Sequence, residues 1–228
     1  EDFATDIEQT LKSHGHDTVQ FFSGYDCDSL ALEPVTRFTE FFLPLLAKHP
    51  RALLELRTKS TQIRALLAYG PVPNCVVAFS FTPPPVAAAL EHRTPSIERR
   101  IEAMVRLQQQ GWNIGLRFDP IIHETNYREN YARLFQDIFT AIDPDALHSV
   151  TLGGFRLPRD YFSNMLKLYP DEPLFASALE NKGGSTAGRE DMTTCHHDLN
   201  SAMLDYCNNL LLAFVPREKI HHCDTALA

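Results

Sequence analysis

The hydrophobic pattern between residues 76 and 122 predicts a strand, a helix and a second strand in direct succession. The runs VVAFSF and NIGLRFDPII are rich in β-branched and aromatic residues, and the segment between them carries apolar residues at helical spacing. Ser96 stands where the N-cap of this helix is expected, and Gly111 stands where a left-handed residue would end it. The three elements therefore form a β-α-β unit, which is the building block of a parallel sheet.

The rest of the chain continues the alternation of strands and helices. Further strands are predicted at 18–22, 52–56 and 149–152, and helices at 3–11, 34–48, 61–69, 127–142, 158–168 and 191–212. Five strands separated by helices indicate an α/β fold with a parallel sheet, either a TIM-like barrel or an open doubly wound sheet. A helix precedes the first of these strands, whereas a βα series normally begins with a strand. We therefore expect the first strand of the fold to be absent from this chain.

Length and composition narrow the class of protein. The 228 residues suit one domain, 1–228, with 170–228 as a C-terminal helical extension, and 44% hydrophobic with 22% charged residues is typical of a soluble globular protein. Prolines interrupt the longest apolar stretches, so no membrane span is predicted. Five cysteines without regular spacing indicate reduced thiols in a cytoplasmic protein.

The net charge of −8 argues against a protein that coats nucleic acid through bulk electrostatics. A local basic patch is still compatible with it, because Arg93, Arg99, Arg100 and Arg106 cluster around the central predicted helix. A solvated helix face is the more common explanation of such a cluster on an amphipathic helix.

Polar residues or glycines follow each predicted strand, and in parallel α/β folds the ligand site lies at the carboxyl ends of the strands. The residues at these positions are Ser23, Tyr25, Asp26, Arg57, Lys59, Ser80, Arg117, Asp119, Gly153 and Gly154. Lys59 and Arg57 can hold a carboxylate or a phosphate, and Asp119 can hold a hydroxyl or an amine. The glycine pair admits close approach of a ligand to the backbone. The sequence therefore predicts a pocket of mixed charge that accepts anions.

Two short clusters, CHH at 195–197 and HHC at 221–223, contain residue types that bind metals. Adjacent residues on a helix point about 100° apart, so the first three cannot all face one ion, and no Cys-x2-Cys spacing accompanies them. Cys75 and Cys207 lie on apolar backgrounds and are expected in the core. The sequence thus predicts no metal site of its own, and it shows no P-loop, complete dinucleotide fingerprint or legible Ser-His-Asp set.

The sequence resembles the spore photoproduct lyase family of radical S-adenosylmethionine enzymes. The motifs that carry the resemblance are DSLALE (28–33), LELRTKS (54–60), FSF (79–81), HRTPSIERRIEA (92–103) and GLRFDPII (115–122). The resemblance implies a partial (β/α)6 TIM-like barrel and reductive cleavage of S-adenosylmethionine by a [4Fe-4S] cluster. The resulting deoxyadenosyl radical would reverse a thymine dimer in DNA, with electrons from a reductant such as flavodoxin or ferredoxin.

The resemblance also suggests roles for individual residues. Lys59 corresponds to the residue that meets the carboxylate of S-adenosylmethionine, and Ser80 to a hydroxyl on its ribose or methionine side. The cofactor-binding set predicted for this chain is Ser23, Arg57, Lys59, Ser80, Arg117 and Asp119. The hydrogen donor of the family belongs in the loop after the strand at 18–22, where Tyr25 aligns and Cys27 lies two residues on.

The cluster motif of the family, Cys-x3-Cys-x2-Cys, does not occur in this sequence, so the cluster ligands are not in this chain. The leading hypothesis is therefore a lyase of this type whose cluster motif precedes Glu1. One alternative is a binding module of the same shape without a cluster, and another is a TIM-like lyase that uses Lys59 as a Schiff-base amine. The sequence upstream of Glu1 would separate the first two, and borohydride trapping with a carbonyl substrate would test the third.

Overall fold

The structure is a computed structural model that describes residues 2–23, 27–170, 174–175, 192–194 and 197–223. Its strands are β1 (Val19–Ser23), β2 (Ala52–Thr58), β3 (Cys75–Ser80), β4 (Asn113–Ile121), β5 (Leu147–Gly154), β6 (Arg156–Pro158), β7 (Met192–Thr194) and β8 (Ile220–His222). Six of these form one sheet in the order β1-β2-β3-β4-β5-β8, and every neighbouring pair in it is parallel. The α/β class and the parallel partial barrel predicted from the sequence are confirmed.

One helix precedes β1, and the other described helices lie between the strands of this sheet. The described α-helices are α1 (Asp2–Ser13), α2 (Glu33–Thr36), α3 (Phe38–Lys48), α4 (Arg64–Tyr69), α5 (Pro84–Leu90), α6 (Ile97–Gln109), α7 (Tyr127–Ala141), α8 (Arg159–Leu168) and α9 (His197–Leu211). The helix predicted at 34–48 is divided at Arg37, whose φ of 52° is incompatible with a continuous helix. None of the described helices is long and apolar enough to cross a membrane.

The central β-α-β unit forms as predicted. The Ser96 hydroxyl accepts a hydrogen bond from the backbone N–H of Arg99 at 3.4 Å, which caps the first turn of α6. Gly111 has a φ of 95°, a conformation that glycine adopts without steric cost. The sequence pattern did not indicate α5, which begins inside a run of three prolines. Proline is tolerated in the first turn of a helix, where its missing N–H would have had no partner.

The two faces of the sheet differ in polarity because side chains alternate along each strand. On one face Leu54, Val77 and Leu116 are buried in the same apolar cluster as Met104 of α6 and Phe135 of α7. Each such side chain stabilises the fold by about 1.5–3 kcal/mol relative to an exposed one. The opposite face carries the charged residues of β2 and β4, and it is this face that the functional residues share.

Two short strands near the C-terminus were not predicted. Met192–Thr194 pairs with β6 in a small antiparallel sheet, and Ile220–His222 extends the main sheet beside β5. Both are three residues long, too short for an alternating pattern to be distinguished from chance. The 170–228 stretch, which we expected to be helical, thus contributes strands as well as α9.

Candidate functional site

A cavity of about 650 Å³ opens at the carboxyl edge of the parallel sheet. The residues that line it come from the ends of β2, β3 and β4 and from the loops that follow β1 and α5. They include Cys27, Asp28, Arg57, Lys59, Ser80 and Asp119. The position agrees with the general location of ligand sites in parallel α/β folds.

Lys59 reaches the cavity wall just beyond β2, and its ammonium nitrogen lies 2.8 Å from Oε1 of Glu91. The Glu91 side chain is 7% exposed, and it is also held by the fully buried Arg100 at 2.5 Å and by the hydroxyl of Thr82 at 3.0 Å. Burial alone would raise the pKa of Glu91, but Lys59 and Arg100 outweigh burial and hold that pKa below its usual value. The three charged groups carry a net charge of +1, so this wall attracts an anionic ligand group.

Asp28 fixes the loop after β1 to the end of β2. Its Oδ1 accepts hydrogen bonds from the backbone N–H groups of Leu30 and Ala31 and from the hydroxyl of Thr58, at 2.9, 2.8 and 2.7 Å. Its Oδ2 accepts the backbone N–H of Lys59 at 2.6 Å. The carboxylate therefore sets the backbone position from which the Lys59 side chain extends.

Arg117 lies beneath the cavity and is 4% exposed. It donates to both carboxylate oxygens of Glu55, at 3.0 and 2.6 Å, and to the hydroxyl of Ser149 at 3.1 Å. Burial would raise the pKa of Glu55, but the guanidinium groups of Arg117 and Arg57 overcome it and lower that pKa. The guanidinium of Arg117 thus donates its hydrogen bonds to groups within the protein. Arg117, which we expected to contact the cofactor, does not line the cavity.

Asp119 lines the cavity and also contacts Arg156, which reaches the residue after the last strand of the sheet. Its carboxylate lies 3.0 Å from Nη1 of Arg156 and 3.9 Å from Nη1 of Arg57. Arg156 also donates to the sulfur of Cys223 at 2.7 Å. Burial raises the pKa of the Cys223 thiol, and the charge of Asp119 raises it further. Asp119 is therefore a partly buried carboxylate that two guanidinium groups hold in place.

The remaining candidates from the sequence are distributed as follows. Cys27 is exposed and lines the cavity, as do Arg57, Lys59, Ser80 and Asp119. The backbone carbonyl of Ser23 accepts the hydroxyl of Ser29 at 2.5 Å, and Ser23 is not part of the cavity lining. Tyr25 and Asp26 lie outside the described residues.

Protein side chains occupy the space beside Gly153 and Gly154, the last two residues of β5. A Cβ atom on Gly153 would collide with Asp119, and one on Gly154 would collide with Asn200 of α9. We expected these glycines to admit a ligand. Instead they admit the carboxylate of the cavity wall and a helix residue, which is the physical reason that no side chain is tolerated at either position.

The described cysteines do not form a cluster site. Burial raises the pKa of both Cys75 and Cys207 to about 12, which disfavours the thiolates that iron requires. Cys27 lies in the loop after β1, and Cys223 directly follows β8. No group of three or more metal-binding side chains occurs in the part of the chain that the structure describes. A [4Fe-4S] cluster therefore does not fit the described residues.

Three residues of the site were not singled out from the sequence. Glu55 had a visible signal, because a charged residue inside the buried strand ALLELRT requires a buried partner. Asp28 sits in a polar loop, where aspartate is common for many reasons. Glu91 follows α5, which was itself not predicted, and its partners Lys59, Thr82 and Arg100 come from three separate segments of the chain.

Two comparisons with known protein sequences both identify spore photoproduct lyases as relatives of this chain. The family model described as spore photoproduct lyase matches residues 1–171. The spore photoproduct lyase of Clostridium acetobutylicum is 26% identical over 117 residues, which cover 51% of this chain and 34% of that protein.

Solved structures agree at the level of the fold. A spore photoproduct lyase complexed with dinucleoside spore photoproduct has a TM-score of 0.82 at 16% identity. A variant with bound AdoMet and dinucleoside spore photoproduct has a TM-score of 0.80, also at 16% identity. Both matches cover 97% of this chain and 65% of the solved chain. At this identity the similarity shows the shared fold, and the chain spans only part of each relative.

Proposed function

Because this chain belongs to the spore photoproduct lyase family, we propose that its cavity binds S-adenosylmethionine and that the protein acts in the repair of spore photoproduct in DNA. The family is one of radical S-adenosylmethionine enzymes, so the proposal assigns a radical lyase. The observation that carries it is the ammonium of Lys59, fixed at the wall of a cavity at the carboxyl edge of the sheet.

The cavity has the chemistry that S-adenosylmethionine requires. A volume of about 650 Å³ falls within the range of about 300–1,000 Å³ that is usual for cofactor sites. Lys59 would hold the carboxylate of the methionine moiety, and the hydroxyl of Ser80 would bond its polar atoms. Asp119, held by Arg57, supplies a carboxylate for hydroxyl or ammonium groups. Ser23 and Arg117 do not line the cavity, so they would support the binding residues without contacting the ligand.

The described residues do not supply ligands for an iron-sulfur cluster, so we assign no step of the reaction to it. The lack of a metal-binding group among the described residues is the one observation that favours the alternative, a binding module of the same fold without a cluster. The Schiff-base alternative gains no support, because the amine of Lys59 is engaged in an ion pair with Glu91.

We propose Cys27 as the hydrogen donor to the substrate, with Tyr25 as the alternative. The position of Cys27 in the cavity lining supports it, because a donor must reach a ligand bound there. In the active enzyme, Cys27→Ala should divert products to side adducts while S-adenosylmethionine is still cleaved. Unchanged products would exclude Cys27 and leave Tyr25. We further propose a flavodoxin or ferredoxin as the reductant. We also propose a cytoplasmic location, which the four free thiols among the described cysteines support.

Two measurements test the function. Calorimetric titration of the wild-type chain with S-adenosylmethionine should give one saturable site, and the absence of binding would overturn the proposal. Anaerobic reconstitution with iron and sulfide, of this chain and of an N-terminally extended one, followed by assay on an oligonucleotide that contains spore photoproduct, tests the reaction. S-adenosylmethionine binding without turnover in either protein would instead favour the binding module.

A further inference from the structure

Arg93 lies at the exposed edge of the cavity, in the loop between α5 and α6. Its φ of 63° places the backbone in the left-handed region, which arginine rarely occupies. The other described non-glycine residue with a positive φ is Arg37, which separates α2 from α3 and forms an ion pair with Glu40. Both conformations belong to turns. The N–H of Arg37 closes α2 on the carbonyl of Glu33 at 2.9 Å, and Arg93 lies in a turn in which the N–H of Thr94 reaches the carbonyl of Glu91 at 3.4 Å.

The loop around Arg93 is held from below by Arg100. This fully buried guanidinium donates to the carbonyl of Pro95 at 2.9 Å, to the hydroxyl of Thr94 at 2.8 Å and to Glu91 at 2.5 Å. The Thr94 hydroxyl in turn donates to the carbonyl of Glu91 at 2.8 Å. The chain on both sides of Arg93 is therefore held in place, and the loop carries the exposed Arg93 side chain at the edge of the cavity.

Arg93 differs in its partners from the other cations of the cavity. Among the described residues the cavity is lined by three cationic side chains, and two of them, Arg57 and Lys59, pair with carboxylates. Arg93 has no ion pair and no side-chain hydrogen bond within the described part of the chain. A guanidinium at the edge of a cavity, without a partner among the described residues, is suited to bind an anion from outside.

We propose that Arg93 binds a backbone phosphate of the nucleic acid whose damaged bases enter the cavity, a role that rests on the function proposed above. Phosphate is favoured over the carboxylate of S-adenosylmethionine, because Lys59 lies deeper in the wall and already serves the smaller ligand in that proposal. The overall charge of −8 repels nucleic acid, so binding must depend on individual cations near the cavity. An arginine fork matches the geometry of a phosphate, which it can contact through two donors.

The salt dependence of nucleic-acid binding counts phosphate contacts and so tests this role directly. Anisotropy of a fluorescein-labelled twelve-nucleotide oligothymidylate would be measured with the wild-type protein between 50 and 200 mM salt. Arg93→Ala should weaken binding about threefold to tenfold at 50 mM and reduce the slope of log K against log salt by about 0.7. Arg93→Lys should keep the slope and lose part of the affinity, because lysine retains the charge without the fork.

Arg99→Ala is the matched control, since Arg99 is an exposed arginine in the first turn of α6 that does not line the cavity. It removes the same charge six positions away and should leave the slope unchanged. Arg93→Gly, which accepts the left-handed backbone, should repeat the result of Arg93→Ala and so exclude misfolding as its cause.

Three results would overturn the proposal. The first is an unchanged slope in Arg93→Ala, and the second is an equal change in Arg99→Ala. The third is a wild-type protein that does not bind the oligonucleotide at all. Calorimetry with S-adenosylmethionine separates this failure from failure of the proposed cofactor site, because Arg93→Ala should bind it as tightly as wild type. A loss of S-adenosylmethionine affinity with an unchanged slope would assign Arg93 to the cofactor instead.

Discussion

Arg117 of β4 and Glu55 of β2 form a two-bond ion pair that bridges the intervening strand β3, with N–O distances of 3.0 and 2.6 Å. Both side chains are almost fully buried. Such a pair contributes little beyond an apolar pair of equal volume, yet loss of one partner leaves an uncompensated charge in the interior. The pair therefore links β2 to β4 beneath the cavity that Arg57, Lys59 and Asp119 line.

Removing one partner of this pair should be far more costly than removing both. Glu55→Leu is expected to lower the free energy of unfolding by about 3–5 kcal/mol, because Arg117 stays buried without a carboxylate. The double variant Glu55→Leu/Arg117→Met should recover much of that loss. Urea denaturation of the two single variants and the double variant measures the coupling.

The exposed ion pair between Arg37 and Glu40 offers the control for this cycle. Glu40→Leu should leave the urea midpoint unchanged within error, because solvent screens an exposed pair. Additive effects of Glu55→Leu and Arg117→Met would contradict the pairing.

The fold was predictable because its signals are local. The apolar periodicity of α6, the Ser96 cap and Gly111 each depend on residues close in sequence, and strand ends in a parallel sheet necessarily share one edge. The position of Lys59 and Asp119 at the cavity followed from that geometry.

The pairing of charges was not predictable, because it depends on distances between elements far apart in sequence. Arg117 and Glu55 are 62 residues apart, and both lie in strands whose pattern shows only which face each side chain occupies. Lys59 and Glu91 meet because α5 returns the chain to the end of β2, and a run of prolines concealed that helix. The short strand Ile220–His222 is specified by its neighbour β5 and not by its own sequence.

Acid should destabilise the protein through its buried carboxylates. The pKa of Glu55 and that of Glu91 are lower in the folded state than the ordinary value of 4.5. The unfolded state therefore takes up protons first as pH falls, so the stabilising contribution is complete above pH 4.5 and is lost progressively below it. Urea midpoints between pH 6 and pH 3 should fall most steeply below about pH 4.5.

Glu55→Gln tests the origin of this dependence. The variant should be less stable at pH 6 and should show a shallower decline below pH 4.5, because one of the titrating groups is gone. A decline as steep as that of wild type would show that other carboxyl groups dominate.

Arg93→Gly should raise the stability of the protein. A left-handed residue with a Cβ atom costs about 1–2 kcal/mol, and glycine removes that cost while losing about 0.5–1 kcal/mol of chain entropy on folding. A net gain of about 0.5–1 kcal/mol is expected, which corresponds to an increase in Tm of about 1–4 °C. Arg93→Ala keeps the Cβ atom and should show no gain. A lower Tm for Arg93→Gly than for Arg93→Ala would contradict the strain at this position.

Lys59→Ala should weaken binding of S-adenosylmethionine about tenfold to a hundredfold, because a charge-assisted contact contributes roughly 1.5–3 kcal/mol and each decade is about 1.4 kcal/mol. Folding should change little. Glu91 keeps Arg100 and Thr82 as partners after the substitution, and Lys59 is 38% exposed, so we expect Tm to fall by less than about 4 °C. Calorimetric titration and thermal melts of both proteins measure the two quantities.

Lys48→Ala is the matched control for Lys59→Ala. Lys48 is an exposed lysine at the end of α3, next to the amino end of β2 and thus at the edge of the sheet opposite the cavity. Its removal changes the net charge equally and should leave the affinity for S-adenosylmethionine unchanged. Equal affinities of Lys59→Ala and wild type would remove Lys59 from the binding site. A Tm that falls by far more than 4 °C would show that the ion pair with Glu91 serves the fold, because loss of the ammonium would then disrupt the wall that Arg100 holds from the other side.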